Sequence, residues 1–289
     1  MCRERRAEAN QMNIRCIALD LDRTTLNKNG KLSEGNRAAL RQAIEKGIHV
    51  IVASGRCFYS LPEEIRSFPG ISYAVTGNGA AMYHVPDCLC LQRYGLSEEA
   101  VNIIMEETKD EPVTYEAVVD GTAYAGKEYM ENPALFGATP QALEYVRATR
   151  RQKENISSFI MENRQKLDCM DIIVNDADRK KEIWRRIKER TKEVYITSSA
   201  EQLIELSGKE AGKHSGVAYF AERLGLEPEE IAAFGDSDND VDMLLYAGTG
   251  IAMENATDSC KTAADYITKN HDEDGVAWGM REILGIGQR

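Results

Sequence analysis

Three apolar runs in this sequence each end in a polar cluster: LDLDRTT from residue 19, ASGR from residue 53 and FGDSDND from residue 234. A fourth cluster, GKHSG from residue 212, stands just ahead of a helical pattern. In an open parallel sheet the carboxyl ends of the strands form the ligand crevice. The clusters can therefore meet on one rim, bringing together Asp20, Asp22, Ser54, Lys213, Asp236, Asn239 and Asp240. Aspartates that converge without a cation repel and hold one another's protons. A bound Mg²⁺ relieves this, because it is a hard cation satisfied by one or two carboxylates, carbonyls, waters and a substrate phosphate. Ser54 and Lys213, with the amides of the helix start near Ser215, are donors suited to phosphoryl oxygens. Acidic metal ligands beside phosphate donors point to phosphoryl transfer.

The elements that must carry these residues alternate short β-branched runs with helical patterns, the signature of a parallel α/β sheet. Strands are expected at 14–20, 49–54, 73–77, 231–236, 250–253 and 265–268. Between the first two, SEGNRAALRQAIEKG reads as a helix capped by Ser33, striped by Ala39, Leu40, Ala43 and Ile44, and ended by Gly47. SGVAYFAERLG repeats the design, with Ser215 as the cap and Gly225 at the end. The stretch 83–207 differs. YEAVV-DG-TAYAG reads as a hairpin turning at Asp120-Gly121. Strand patterns at 169–174, 193–198 and 203–207 surround the charged helix 178–190, whose Lys and Arg residues around Trp184 read as a solvated face. The expected architecture is a doubly wound, Rossmann-like parallel core, residues 12–82 and 208–289, with an inserted α+β cap at 83–207 and a flexible lead-in at 1–11.

Composition narrows the classes. The 289 residues are 43% hydrophobic, enough for a real core, and 36 basic against 47 acidic side chains leave a net charge of −11. That balance argues against broad nucleic-acid or anionic-membrane binding. Apolar stretches fall far short of the roughly 20 residues of a membrane span. The N-terminus lacks the apolar core of a secretory signal. Seven scattered cysteines (2, 16, 57, 88, 90, 169 and 260) read as reduced thiols of a cytoplasmic protein. Cys88 and Cys90 lack a matching Cys/His pair for zinc, and His49, His84, His214 and His271 lack metal-ligand spacing.

The motifs together resemble a known family. D-x-D-x-T at Asp20–Thr24, the serine of ASGR, an upstream lysine and GDSDND are similar to the four motifs of the haloacid dehalogenase superfamily. TGNGA (76–80), GIAMENA (250–256) and NHDEDGVA (270–277) are similar to its Cof-type phosphatases. The resemblance implies that Asp20 attacks phosphorus and that Asp22 protonates the leaving oxygen, then activates water. It implies Mg²⁺ held by Asp20, the Asp22 carbonyl and Asp236. Ser54, Gly55, Lys213 and Asn239 would bind the substrate phosphate, and Thr24 and Asp240 would support the site.

The implied activity is hydrolysis of small phosphomonoesters such as sugar phosphates. A phosphotransferase or phosphomutase, or a phosphate-ligand sensor, is the alternative. Lys209 is a second candidate for the lysine role, while Asp238 and Asp242 read as acids of a helix start. Arg23 stands where the family usually carries glycine. It is expected to keep ordinary right-handed dihedrals and to point to the site mouth, facing the cap.

Overall fold

In the computed structural model, which describes residues 13–138 and 140–287, the strands form two sheets. The expected lead-in lies outside the described residues. In chain order the strands are β1 (Cys16–Leu19), β2 (His49–Ala53), β3 (Ile71–Thr76), β4 (Ala81–His84), β5 (Leu89–Arg93), β6 (Thr114–Val119), β7 (Thr122–Gly126), β8 (Arg150–Lys153), β9 (Leu167–Ile173), β10 (Val194–Thr197), β11 (Leu203–Gly208), β12 (Ile231–Gly235), β13 (Thr249–Ala252) and β14 (Tyr266–Ile267). The first sheet has the order β14-β13-β12-β1-β2-β3-β4-β5. It is parallel from β14 to β3, and β4 and β5 add an antiparallel edge.

The chain winds outward from β1 through β2 to β3, then returns to the other side of β1 with β12, β13 and β14. This is the expected doubly wound core, and it puts the topological switch between β1 and β12. β1 and β12 are buried at every position, as continuous apolar runs in the middle of a parallel sheet should be. Each such Leu, Ile or Phe contributes roughly 1.5–3 kcal/mol by leaving water. Two helix groups cover the sheet: Glu34–Glu45 with Gly275–Glu282, and Lys213–Leu224 with Val241–Tyr246 and Asp258–Ala263.

Ser33 caps the first helix by accepting from Asn36 N at 3.2 Å, a contact worth about 1 kcal/mol. The second expected helix begins three residues early. Lys213 is its first residue, Gly212 with φ 130° precedes it, and Ser215 is not the cap but bonds His214. Gly212 can hold a backbone conformation that an L side chain resists, so the helix starts there.

The inserted segment is shorter than expected. Residues 83–93 belong to the first sheet, because β4 and β5 extend its edge beside β3. LCLQR is part-exposed along its whole length, as an edge strand can be, and such a pattern does not tell which sheet it joins. The chain leaves near Tyr94 and returns at Gly208, whose N donates to Tyr94 O at 3.0 Å, so the two crossings lie side by side. The second sheet, β10-β11-β9-β6-β7-β8, fills the segment between them. Its hairpin turns at Asp120 and Gly121, with φ 49° and 71°. Helices Glu98–Thr108, Ile156–Glu162 and Ala177–Arg190 cover one face. The last of these buries Ile183 and Ile187 and leaves most of its charges in surface ion pairs, as a solvated face should.

Candidate active site

The strand ends at the switch point converge. Asp20 N still donates to Phe234 O at 3.0 Å, so parallel pairing of β1 with β12 carries straight into the aspartate. From the amino end of its helix, Lys213 reaches back between two acids. Its Nζ lies 2.6 Å from Asp20 Oδ1 and 2.6 Å from Asp240 Oδ1. All three are buried, with Lys213 only 1% exposed.

Asp240 is fully used. Its second oxygen accepts from Asp236 N at 2.9 Å and Ser237 N at 3.0 Å, so it closes the GDSDND turn while it holds the lysine. Gly235 makes that turn possible, since a Cβ there would stand 2.5 Å from Asp240 Cβ. Thr24 Oγ1 donates to Asp236 Oδ1 at 3.3 Å.

Among the described residues, Asp20, Asp236 and Asp240 alone bring three such ligand atoms within 4.8 Å of one another. Asp240 is committed to Lys213 and two amides. That leaves Asp20 and Asp236 as the carboxylates suited to a hard divalent ion, and the all-oxygen donor set fits one. Burial pushes the Asp20 carboxyl well above its usual range, Lys213 opposes this, and Asp240, Asp236 and Asp22 add to it. Burial, then Asp240, pushes Asp236 up to about 6 against the pull of Arg23 and Lys213. Burial works against the charged form of Lys213, but Asp20 and Asp240 outweigh it and raise its pKa. The cluster is thus one cation short, which is the electrostatic signature of a site that takes another.

Other expected residues have hydrogen-bond partners of their own. Ser54 is buried at the end of β2, with its Oγ accepting from Arg56 N at 3.1 Å, and Gly55 follows it. The Asn239 side chain donates to Asn78 Oδ1 at 3.0 Å. Asp22 turns out to the rim, where its two oxygens accept from Arg56 at 2.6 and 2.8 Å. Lys209 pairs with Glu193 on the surface, away from the cluster, because it precedes the helix start by a full turn. Asp238 accepts from Thr257 and Ser259, and Asp242 lies beside His214, so neither joins the cluster.

Arg23 departs from expectation in its backbone. Its φ of 60° and ψ of 14° are left-handed, the conformation that favours the glycine usual there. Its side chain is 61% exposed and pairs with Asp236 at 3.7 Å rather than with an acid of the inserted segment. Asn255 Nδ2 donates to Arg23 O at 2.9 Å and holds the turn.

Sequence reasoning missed Arg56 and Asn78. Arg56 closes the quoted ASGR cluster, and its charge beside a serine was the available signal. Asn78 stands between Gly77 and Gly79 with φ 53°, and G-N-G is the composition of a left-handed turn.

Comparison with known proteins agrees with this geometry. Residues 17–280 match the family of haloacid dehalogenase-like hydrolases. The chain belongs to that family. It is 31% identical to phosphatase YwpJ of Bacillus subtilis, covering 94% of this chain and all of the relative. It is 29% identical to the 5-amino-6-(5-phospho-D-ribitylamino)uracil phosphatase YcsE of the same organism, over 93% of this chain and 96% of the relative. A solved haloacid dehalogenase-like hydrolase from B. subtilis superposes with a TM-score of 0.81 at 29% identity, over 94% of this chain and 100% of that one. The chain is thus an enzyme of the Cof-type phosphatase class that its motifs resemble. No helix among the described residues is long and apolar enough to cross a membrane.

Proposed function

We propose that the protein hydrolyses small phosphomonoesters, with Mg²⁺, through a phosphorylated Asp20. The observation that carries this is the Asp20–Lys213–Asp240 bridge beside Asp236 at the switch point of the sheet. A carboxylate at the end of a buried strand, aligned by a buried ammonium, is a positioned nucleophile for phosphorus. Mg²⁺ held by Asp20, Asp236 and the Asp22 carbonyl would screen the repulsion between the nucleophile and the phosphate. Asp20 attacks phosphorus as the bond to the leaving oxygen breaks. Asp22 gives that oxygen its proton, then takes one from the water that frees Asp20.

Arg56 holds both Asp22 oxygens, so it must release one before the carboxyl can carry a proton. Ser54, the Gly55 amide, Lys213 and Asn239 would receive the phosphoryl oxygens. The inserted segment would close over the site as a cap, hinged at Tyr94 and Gly208. Relatives named as phosphatases, two of them for 5-amino-6-(5-phospho-D-ribitylamino)uracil, support a small phosphorylated metabolite as substrate.

The test is phosphate release from p-nitrophenyl phosphate. We expect turnover that EDTA abolishes and Mg²⁺ restores, and a folded Asp20→Asn protein that is nearly inactive. Full activity after metal stripping would remove the metal role, and substantial turnover by Asp20→Asn would overturn the nucleophile. Phosphate binding without turnover in the wild type would favour a sensor, and transfer to an added alcohol in preference to water would favour a phosphotransferase.

A further inference from the structure

The chemistry above leaves unused a row of acids on the second sheet. Glu116 of β6, Asp171 of β9 and Glu205 of β11 stand opposite one another in register. Their neighbours Tyr115, Ala117, Met170, Ile172, Ile204 and Leu206 point into the core beneath the helices. Alternation along each strand therefore turns the three acids to the opposite face. On that face Val118 and Cys169 pack against Cys57 and Ala80 of the first-sheet layer, so the row looks toward the loops that carry the active site.

Both ends of the row are tied to that site. Glu205 Oε1 accepts from Asn78 Nδ2 at 3.0 Å, and Asn78 in turn accepts from Asn239 at 3.0 Å. Glu116 pairs with Arg150 at 2.6 Å. The guanidiniums of Arg150 and Arg56 both lie on the Tyr145 ring, 4.5 and 4.2 Å from its centre, and Arg56 holds Asp22. Asp171 stands midway between these anchors. A Cβ at Gly55 would lie 3.2 Å from Glu205 Oε1, so the loop after β2 approaches the row about as closely as a glycine allows.

The row has more acceptors than donors. Its three carboxylates face one guanidinium, Arg150, and Lys180 is spent on Ser198 and on the carbonyls of Ala200 and Glu201. Two acceptors on the path are buried and unpartnered: Glu205 Oε2 and, from the first-sheet layer, Asn239 Oδ1. Both residues are more than nine-tenths buried, at 6% and 4% exposure. Unmet acceptors of this kind call for donors from a ligand. A single metal ion does not fit, because three adjacent strands spread the row over roughly 10 Å. A hydroxyl would supply donors and leave the excess negative charge in place. An ammonium supplies three donors and opposes the charge.

Resting on the phosphomonoesterase reading, we infer that Glu116, Asp171 and Glu205 form the leaving-group subsite and that the preferred substrate carries a protonated amine there. The experiment compares esters matched except for the amine: glucosamine 6-phosphate against glucose 6-phosphate, and 2-aminoethyl phosphate against ethyl phosphate. We expect kcat/KM to favour at least one amine of these pairs by about tenfold or more, as sites built around specific hydrogen bonds do. Asp171→Asn and Glu205→Gln keep the side-chain shapes and should each bring that ratio close to unity. Ratios near unity for both pairs in the wild type, or an unchanged preference in both variants, would overturn the subsite. Calorimetric binding of the same esters to the Asp20→Asn protein reads the discrimination without turnover. If the wild type releases no phosphate from any ester, the hydrolase reading fails, and the binding ratio still decides the subsite by the same criterion.

Discussion

Replacing Lys213 by methionine tests whether the buried bridge organises the site. The side chain keeps its length and loses only the ammonium, which lies 2.6 Å from each of Asp20 and Asp240. Both acids are then left in the interior without their cation, and breaking a buried pair this way costs about 3–5 kcal/mol. The Asp236 and Ser237 amides still serve Asp240, so the lower half of that range applies to it, and Asp20 bears the rest. The expected loss is therefore about 3 kcal/mol, read from urea unfolding in EDTA by the shift in midpoint at constant slope. Adding Asp240→Asn removes one stranded charge while its amide oxygen can still accept from the turn. The double variant should recover about half the loss in stability but not the turnover, because Asp20, the proposed nucleophile, is no longer aligned. A misplaced nucleophile costs on the order of 10²-fold in turnover. A loss below about 1 kcal/mol in the single variant, no recovery in the double, or turnover within tenfold of wild type would each refute the reasoning.

Arg23→Gly should change stability by less than about 1 kcal/mol: relief of a left-handed arginine gains about 1–2 kcal/mol, and the freer unfolded chain and the lost exposed pair with Asp236 take most of it back. A midpoint shift worth more than about 2 kcal/mol in either direction would contradict that balance. Gly79→Ala should cost about 3 kcal/mol, since Gly79 has φ 92° and its Cβ would stand 2.2 Å from the Gly212 carbonyl oxygen, at the turn that launches the Lys213 helix. An alanine protein as stable as wild type would show that the contact yields freely. Burial raises Asp168 to about 6 despite its bond from Gly121 N and its pairing with Arg93. A carboxyl raised above its unfolded pKa binds a proton preferentially in the native state, so its contribution to stability falls as pH rises through that window. Relative to Asp168→Asn, the wild type should be about 1 kcal/mol more stable near pH 5 than near pH 7, and an equal difference at both pH values would remove the effect.

The core and the acidic strand ends were legible because they rest on local rules. Short β-branched apolar runs at 14–20 and 231–236 suit central parallel strands, and each ends in the acids that the strand ends then present. The Ser33 cap and the Asp120-Gly121 turn follow from side-chain chemistry within a few residues. Tertiary structure decided what depends on distant partners. β4 and β5 joined the first sheet as its antiparallel edge, because pairing partners are not encoded in a strand's own pattern. Arg23 went left-handed because the chain must turn from β1 toward Asn255, and no window around residue 23 contains that constraint. Arg56 found Asp22 across 34 residues, and Glu205 found Asn78 across 127. Long-range pairings of this kind arise only when the second sheet is laid over the first, and they tie the acidic row to loops of the first sheet.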